Sequence, residues 1–168
     1  MRLASVLTLV AAAFVALAQQ KGQQRAPQPE RTFTNASDVA AMIAKAKNER
    51  RPDQANFIQP LLRLPPYTAS LECRVEGLDT PATLHETESE IIYVVDGAGV
   101  LTQGGKLVDE KRSNPANLTG TSVQGGSARR IAKGDYIFVP ANTPHSFTKT
   151  EGTLAIMSLH VPKDGAAK

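Results

Sequence analysis

The sequence has little of several residue types that many functions need. Among 168 residues it has one cysteine, no tryptophan and three histidines, and aromatic side chains make up 5%. A single cysteine excludes an internal disulfide, and few aromatic rings are available for stacking on nucleic-acid bases. The basic residues are scattered, apart from the pairs Arg50-Arg51 and Arg129-Arg130. Because a nucleic-acid interface normally shows a concentrated basic patch, we expect no nucleic-acid partner.

The only cysteine, Cys73, lies in a stretch of alternating polarity. Leu71, Cys73 and Val75 occupy one face of this stretch, and Glu72 and Arg74 occupy the other. A period of two predicts a strand with the thiol on its apolar side. We therefore expect a buried, inert Cys73 rather than a catalytic thiol.

The first 18 residues have the features of an export signal. Arg2 supplies a positive start, residues 3–18 are uncharged and mostly apolar, and Ala16-Leu17-Ala18 fits the small-x-small cleavage pattern. The run is shorter than the roughly 20 apolar residues of a membrane span, so an uncleaved anchor is the weaker alternative. We expect cleavage before Gln19, a periplasmic or secreted protein, and no membrane attachment after cleavage.

The rest of the chain divides by composition. Residues 19–34 are rich in Gln, Pro, Lys and Arg, which predicts a flexible tether. Residues 35–52 predict one helix, with Asn35 or Ser37 as its cap and Pro52 at its end. Residues 53–163 predict the folded domain, and residues 164–168 a disordered tail.

The folded domain has the pattern of many short strands separated by turns. Extended segments alternate with turn signals such as Pro65-Pro66, Asp96-Gly97 and Glu151-Gly152. This rhythm predicts an all-β, antiparallel sandwich or barrel. The polar stretch 109–124 is predicted as the longest loop.

Two spaced sets of residues resemble the two motifs of the cupin superfamily. The first set is Gly77, Thr83-Leu84-His85, Glu90 and Gly97, with Thr83 at the position of a family histidine. The second set is Gly134, Pro140 and His145, with Asn142 and Lys149 in place of a glycine and an asparagine. The resemblance implies an antiparallel jelly-roll barrel and a metal centre at His85, Glu90 and His145.

The chemistry of these three side chains agrees with that implication. Two imidazoles and one carboxylate suit a divalent transition metal, such as Fe, Mn, Zn or Ni, and leave coordination positions open for water or a ligand. The hydroxyl of Thr83 is a poor ligand beside imidazole. The presence of Thr83 leaves two interpretations of the site. Either the metal has three protein ligands, or this is a cupin that no longer binds metal.

His160 is a possible fourth ligand. In the cupin arrangement the last strand runs antiparallel to the strand that begins at Glu90, which brings its end near that carboxylate. The alternative is an outward-facing His160, because the opposite face of the segment, with Met157 and Leu159, is the more apolar. Glu86 and Glu88 are expected as solvated charges.

Two functions of different classes follow from the sequence. One is a metal-dependent enzyme, an oxidoreductase or isomerase, that acts on a small polar organic molecule, with its catalytic residues undefined. The other is a non-catalytic module that binds a small molecule, with His85 and His145 as hydrogen-bonding groups. We also expect a homodimer, because strand edges such as residues 57–64 are often covered by a second copy.

Overall fold

The structure, a computed structural model, describes residues 29–163. The predicted export signal, most of the predicted tether and the predicted tail lie outside the described residues. In the part of the chain that the structure describes, no helix is long and apolar enough to cross a membrane.

Helix α1 (Ala36–Glu49) lies within the range predicted for it. The side chain of Asn35 accepts a hydrogen bond of 2.8 Å from the backbone of Asp38, which caps the first turn. The apolar side of the helix, with Val39, Met42 and the buried Ala46, packs against the outer surface of the sheet. The helix therefore covers the sheet from outside and contributes nothing to the interior.

Eleven strands follow within residues 29–163. They are β1 (Asn56–Leu64), β2 (Tyr67–Val75), β3 (Ala82–His85), β4 (Glu88–Gln103), β5 (Lys106–Val108), β6 (Lys111–Asn114), β7 (Asn117–Gly120), β8 (Ser122–Gln124), β9 (Ser127–Ala132), β10 (Tyr136–Val139) and β11 (His145–Pro162).

All paired strands are antiparallel, which confirms the predicted fold class. Nine strands form one hydrogen-bonded sheet with the path β1-β2-β11-β3-β7-β6, and β4 joins β11 to β9 and β10. The remaining strands, β5 and β8, form a separate pair. Among the described strands the hydrogen bonding does not close into a continuous ring, so the jelly roll is an open one.

Strands β4 and β11 form one long bent ribbon, where the sequence predicted two turns. Glu88 pairs with Pro162 at one end of the ribbon, and Gln103 pairs with His145 at the other. The predicted turns at Asp96-Gly97 and Glu151-Gly152 are wrong, because both strands continue through these residues. Their register is irregular there, and Gly97 and Gly152 have φ of +80° and +63°. Such bulges bend a strand without ending it.

The loop predicted over residues 109–124 is also wrong. These residues form β6, β7 and β8, and β7 pairs with β3 so that Asn117 lies opposite His85. All four residues of β6 are exposed. Because apolar and polar residues do not alternate along this stretch, its sequence does not predict strands.

Two apolar clusters hold the fold together. The interior cluster contains Ile92, Val94, Leu101, Leu154 and Ile156, each fully buried. The outer cluster lies between α1 and the sheet and includes Leu71 and Cys73. Burial raises the pKa of the Cys73 thiol to about 11, which agrees with the inert role predicted for it.

Candidate metal centre

The three predicted ligands come from three strands and meet in the interior. His85 ends β3, Glu90 lies near the start of β4, and His145 begins β11. The Nε2 atoms of His85 and His145 lie 3.8 Å and 3.1 Å from Glu90 Oε2, and the potential ligand atoms all lie within 4.8 Å of one another. Glu90 and His145 stand at opposite ends of the β4–β11 ribbon, so its bend is what brings them together.

Hydrogen bonds fix the orientation of both imidazoles. His85 Nδ1 lies 2.8 Å from Asn117 Oδ1, and His145 Nδ1 lies 3.2 Å from the carbonyl oxygen of Thr143. Because these oxygens only accept, each neutral ring carries its proton on Nδ1 and presents the lone pair of Nε2 to the site. This arrangement is typical of histidines that bind metals.

Thr83 faces the site, as the resemblance implied. Its Oγ1 lies 3.0 Å from His145 Nε2. A hydroxyl can donate to that lone pair, so Thr83 contributes a hydrogen-bond donor where a family histidine would contribute a ligand.

Glu90 has one oxygen that nothing satisfies. Its Oε1 accepts a hydrogen bond from the buried hydroxyl of Ser158. Its Oε2 is buried and has no hydrogen-bond partner among the described residues; His145 Nε2 is close, but not in hydrogen-bonding geometry. An unsatisfied buried acceptor costs about 1–3 kcal/mol. A cation held by this oxygen and the two Nε2 atoms would remove that cost, so the donor set fits a divalent metal.

The protonation states also fit a metal. Burial alone would raise the pKa of the Glu90 carboxyl, but positive charge on a protonated His145 and the hydrogen bond from Ser158 would outweigh burial and lower that pKa. Burial lowers the pKa of His85. At neutral pH the carboxyl is therefore ionised and His85 is neutral, which are the forms that bind a metal.

His160 faces the interior cavity that is also lined by the three predicted ligands, so the outward-facing alternative is wrong. It pairs with Glu90 in the sheet register, and its Nδ1 lies 3.1 Å from Glu88 Oε2. Its ring centroid is 4.7 Å from that of His85. The interior side of β11 is the one with Leu154, Ile156, Ser158 and His160, whereas Met157 and Leu159 pack with α1.

His160 belongs to a second group of potential ligands rather than to the first. His85, Glu88 and His160 have ligand atoms within 4.8 Å of one another, and the two groups share only His85. Glu88, expected as a solvated charge, instead pairs with His160 at the cavity. Glu86 is at the surface as expected and binds Arg112 at 2.7 Å.

Sequence reasoning missed Asn117 and Ser158. Asn117 was hidden in the stretch interpreted as a loop. Ser158 shares the alternating face of His160, so the choice of that face as interior would have found it.

The site opens into a cavity of about 530 Å³ inside the jelly roll. His85, Glu90, His145 and His160 line one part of it, and Asn56, Ser70, Glu72 and Arg74 line another. A cavity of this size suits a small organic molecule.

No family model and no curated protein matches the sequence, but many solved structures match the fold. KdgF from Halomonas sp. shares 19% identity at a TM-score of 0.50, over 68% of this chain and 86% of that one. BH2720 from Bacillus halodurans shares 16% identity at a TM-score of 0.51, over 80% of this chain and 83% of that one. The Cnp3 cupin domain of Schizosaccharomyces pombe shares 12% identity at a TM-score of 0.50, over 66% of each chain.

The chain therefore has a cupin fold, which confirms the fold that its two motifs implied. Similarity at these identities concerns the fold alone. Proteins with one fold perform many functions, so the function depends on the site.

One prediction concerns the support of His85. Replacing Asn117 by alanine removes the acceptor that orients this imidazole, and we expect the affinity for a divalent metal to fall roughly 10–100-fold. Asn117→Asp keeps an acceptor and should lose less. The matched control is Asn114→Ala on the adjoining strand, since within residues 29–163 the Asn114 side chain bonds only the backbone of Ala116. Metal titration of the three variants measures the effect, and an unchanged affinity in Asn117→Ala would contradict this role.

Proposed function

We propose that this chain is an exported cupin that uses a divalent metal at His85, Glu90 and His145 to transform a small polar organic molecule. The observation that carries the proposal is the unsatisfied Glu90 Oε2, which faces the two Nε2 atoms. A metal there would supply a Lewis acid with coordination positions open to a ligand, as oxygenase- or isomerase-type chemistry requires. The export rests on residues 1–18 alone, and an intact Met1 on protein recovered from its host would contradict it.

The protein's own residues would hold and orient the reacting partners. Asn117 and the Thr143 carbonyl keep both imidazoles in one tautomer, and Ser158 fixes the Glu90 carboxylate. The cavity walls would cover part of a bound molecule and reduce its contact with water, which strengthens electrostatic interactions inside the site. The reacting partners would thus be positioned before any reaction.

A binding module without metal is the second candidate function. The observation that favours it is the contact between Thr83 Oγ1 and His145 Nε2, which occupies the lone pair that a metal would need. In this case His85 and His145 would hydrogen-bond a ligand directly.

Metal analysis distinguishes the two functions. We expect about one divalent ion per chain in protein purified without a histidine tag from cells supplied with Fe, Mn, Zn and Ni. A chelator should remove the ion, and one of the four metals should restore it and raise the melting temperature. Protein that contains no metal and gains no thermal stability from any of the four would support the binding module instead.

A further inference from the structure

Arg74 is a buried cation in the wall of the cavity that contains the candidate metal centre. Its side chain is 9% exposed, and it lies on β2 with Glu72 on the cavity side. The polar face of β2 therefore points inward, while Cys73 packs towards α1. Because the polar face of β2 points inward instead of to solvent, the positive charge of Arg74 lies in the interior of the jelly roll.

The guanidinium of Arg74 is only partly satisfied. Its Nη2 donates to Glu72 Oε2 at 2.8 Å, and the ring of Phe147 covers one face, with the Arg74 Cζ 4.2 Å from the ring centroid. Nε and Nη1 are buried and bond to no group within residues 29–163. Buried donors without partners are rare, and each calls for an explanation.

A neighbouring hydrogen-bond acceptor, Asn56 Oδ1, also has no partner among the described residues. Asn56 lies opposite Arg74 in the register of β1 and β2, and its Nδ2 donates to Glu72 Oε2 at 2.8 Å. Because a carboxylate only accepts, this bond identifies the other amide atom as oxygen. That Oδ1 is buried and has no donor in the described part of the chain. Donors and an acceptor without hydrogen-bond partners in the described part of the chain thus lie side by side, on two residues that line the cavity.

We propose that Arg74 binds the carboxylate of the substrate, and that the substrate is a small organic acid. This inference rests on the proposed function. A guanidinium forms its strongest hydrogen bonds with carboxylates, and Asn56 Oδ1 would accept a hydrogen bond from a hydroxyl of the same molecule. Phe147 lies near both groups, since its ring centroid is 4.2 Å from the Arg74 Cζ and 6.4 Å from the ring centroid of His145. A molecule anchored at Arg74 would extend past this ring towards His85, Glu90 and His145.

The test compares two probes of equal size and different charge, glycolate and glycolamide. The purified protein is titrated with each probe, and NMR follows the Nε–H signal of Arg74. This signal is assigned from its through-bond couplings. We expect glycolate to shift this signal and to bind at least about tenfold more tightly than glycolamide, because hydrogen bonds between two charged groups are stronger than those to a neutral acceptor. Arg74→Gln should abolish the preference, and Arg74→Lys should retain part of it.

Two further measurements keep the outcome interpretable. Arg74→Gln leaves Glu72 buried without its cation, so the double variant Glu72→Gln/Arg74→Gln is measured beside it, with circular dichroism to confirm the fold. Each sample is also assayed for metal and titrated again after chelation. In protein that purifies without metal and takes up none of the four ions, a preference for glycolate at Arg74 would support this inference although the metal-dependent function had failed.

Other outcomes would overturn the inference. An Arg74 signal that neither probe moves would make Arg74 a structural partner of Glu72 and Phe147 only. A preference for glycolate that survives in Arg74→Gln, or that depends on metal and leaves the Arg74 signal unmoved, would place the anion at the metal instead.

Discussion

Single replacement of His85, Glu90 or His145 by alanine is expected to release most of the bound divalent metal. Each change removes one of three strong ligands, so the affinity should fall by more than the roughly 10–100-fold typical of losing an outer hydrogen-bonding partner. Thr83 cannot compensate, because a neutral hydroxyl is a weak ligand. Metal content per chain after dialysis, with titration of the metal-free protein, measures the loss.

Two other substitutions complete this experiment. Glu86→Ala is the matched control, because Glu86 is a carboxylate near the same strand ends that binds Arg112 at the surface. It should leave the metal content unchanged. His160→Ala separates a site with three protein ligands, where affinity hardly changes, from one with four, where it falls strongly. Stoichiometric metal in both His85→Ala and His145→Ala would show that the metal binds elsewhere.

Gly97→Ala is expected to cause the largest loss of stability from a single methyl group. Gly97 has φ of +80°, and a Cβ at this position would lie 2.0 Å from the backbone oxygen of Thr153. The backbone conformation alone costs about 1–2 kcal/mol in a residue with a side chain, and relief of the steric overlap adds about 1–3 kcal/mol. Denaturant unfolding should therefore show a decrease of roughly 3 kcal/mol in the free energy of unfolding.

Gly77, the first residue of the same motif, provides the control for this prediction. Gly77 also has φ of +80°, but a Cβ there would meet no atom of residues 29–163 within 4 Å. Gly77→Ala should therefore show only the conformational cost, about 1–2 kcal/mol. Equal losses in the two variants would refute the close approach between β4 and β11 as the reason for glycine at position 97.

The sequence predicted the parts of the fold that depend on local patterns. Alternation predicted the strand around Cys73 and the burial of its thiol, and the motif spacing identified three side chains that the structure brings together. The side of β11 that faces inward could not be predicted in this way. Both of its faces are largely apolar, because one lines the interior and the other packs with α1.

Long-range pairing explains the other errors. Strand β7 is held by its ladder with β3, which joins residues far apart in the chain, and its own sequence is that of a loop. The Asp96-Gly97 pair has the composition of a turn, but the neighbouring bulge in β11 lets both strands continue. Asn117 could not be linked to His85 before either pairing was known.

The bend of the β4–β11 ribbon has a further consequence for the motions of the protein. Glu90 and His145 lie at opposite ends of the ribbon, yet Glu90 Oε2 and His145 Nε2 are 3.1 Å apart. A metal bound between them would join the two ends and close the ribbon into a loop, and it would stabilise only conformations in which the bend is intact. Backbone amides of β4 and β11 on both sides of Gly97 should then exchange with deuterium as one cooperative unit, more slowly with metal than without it.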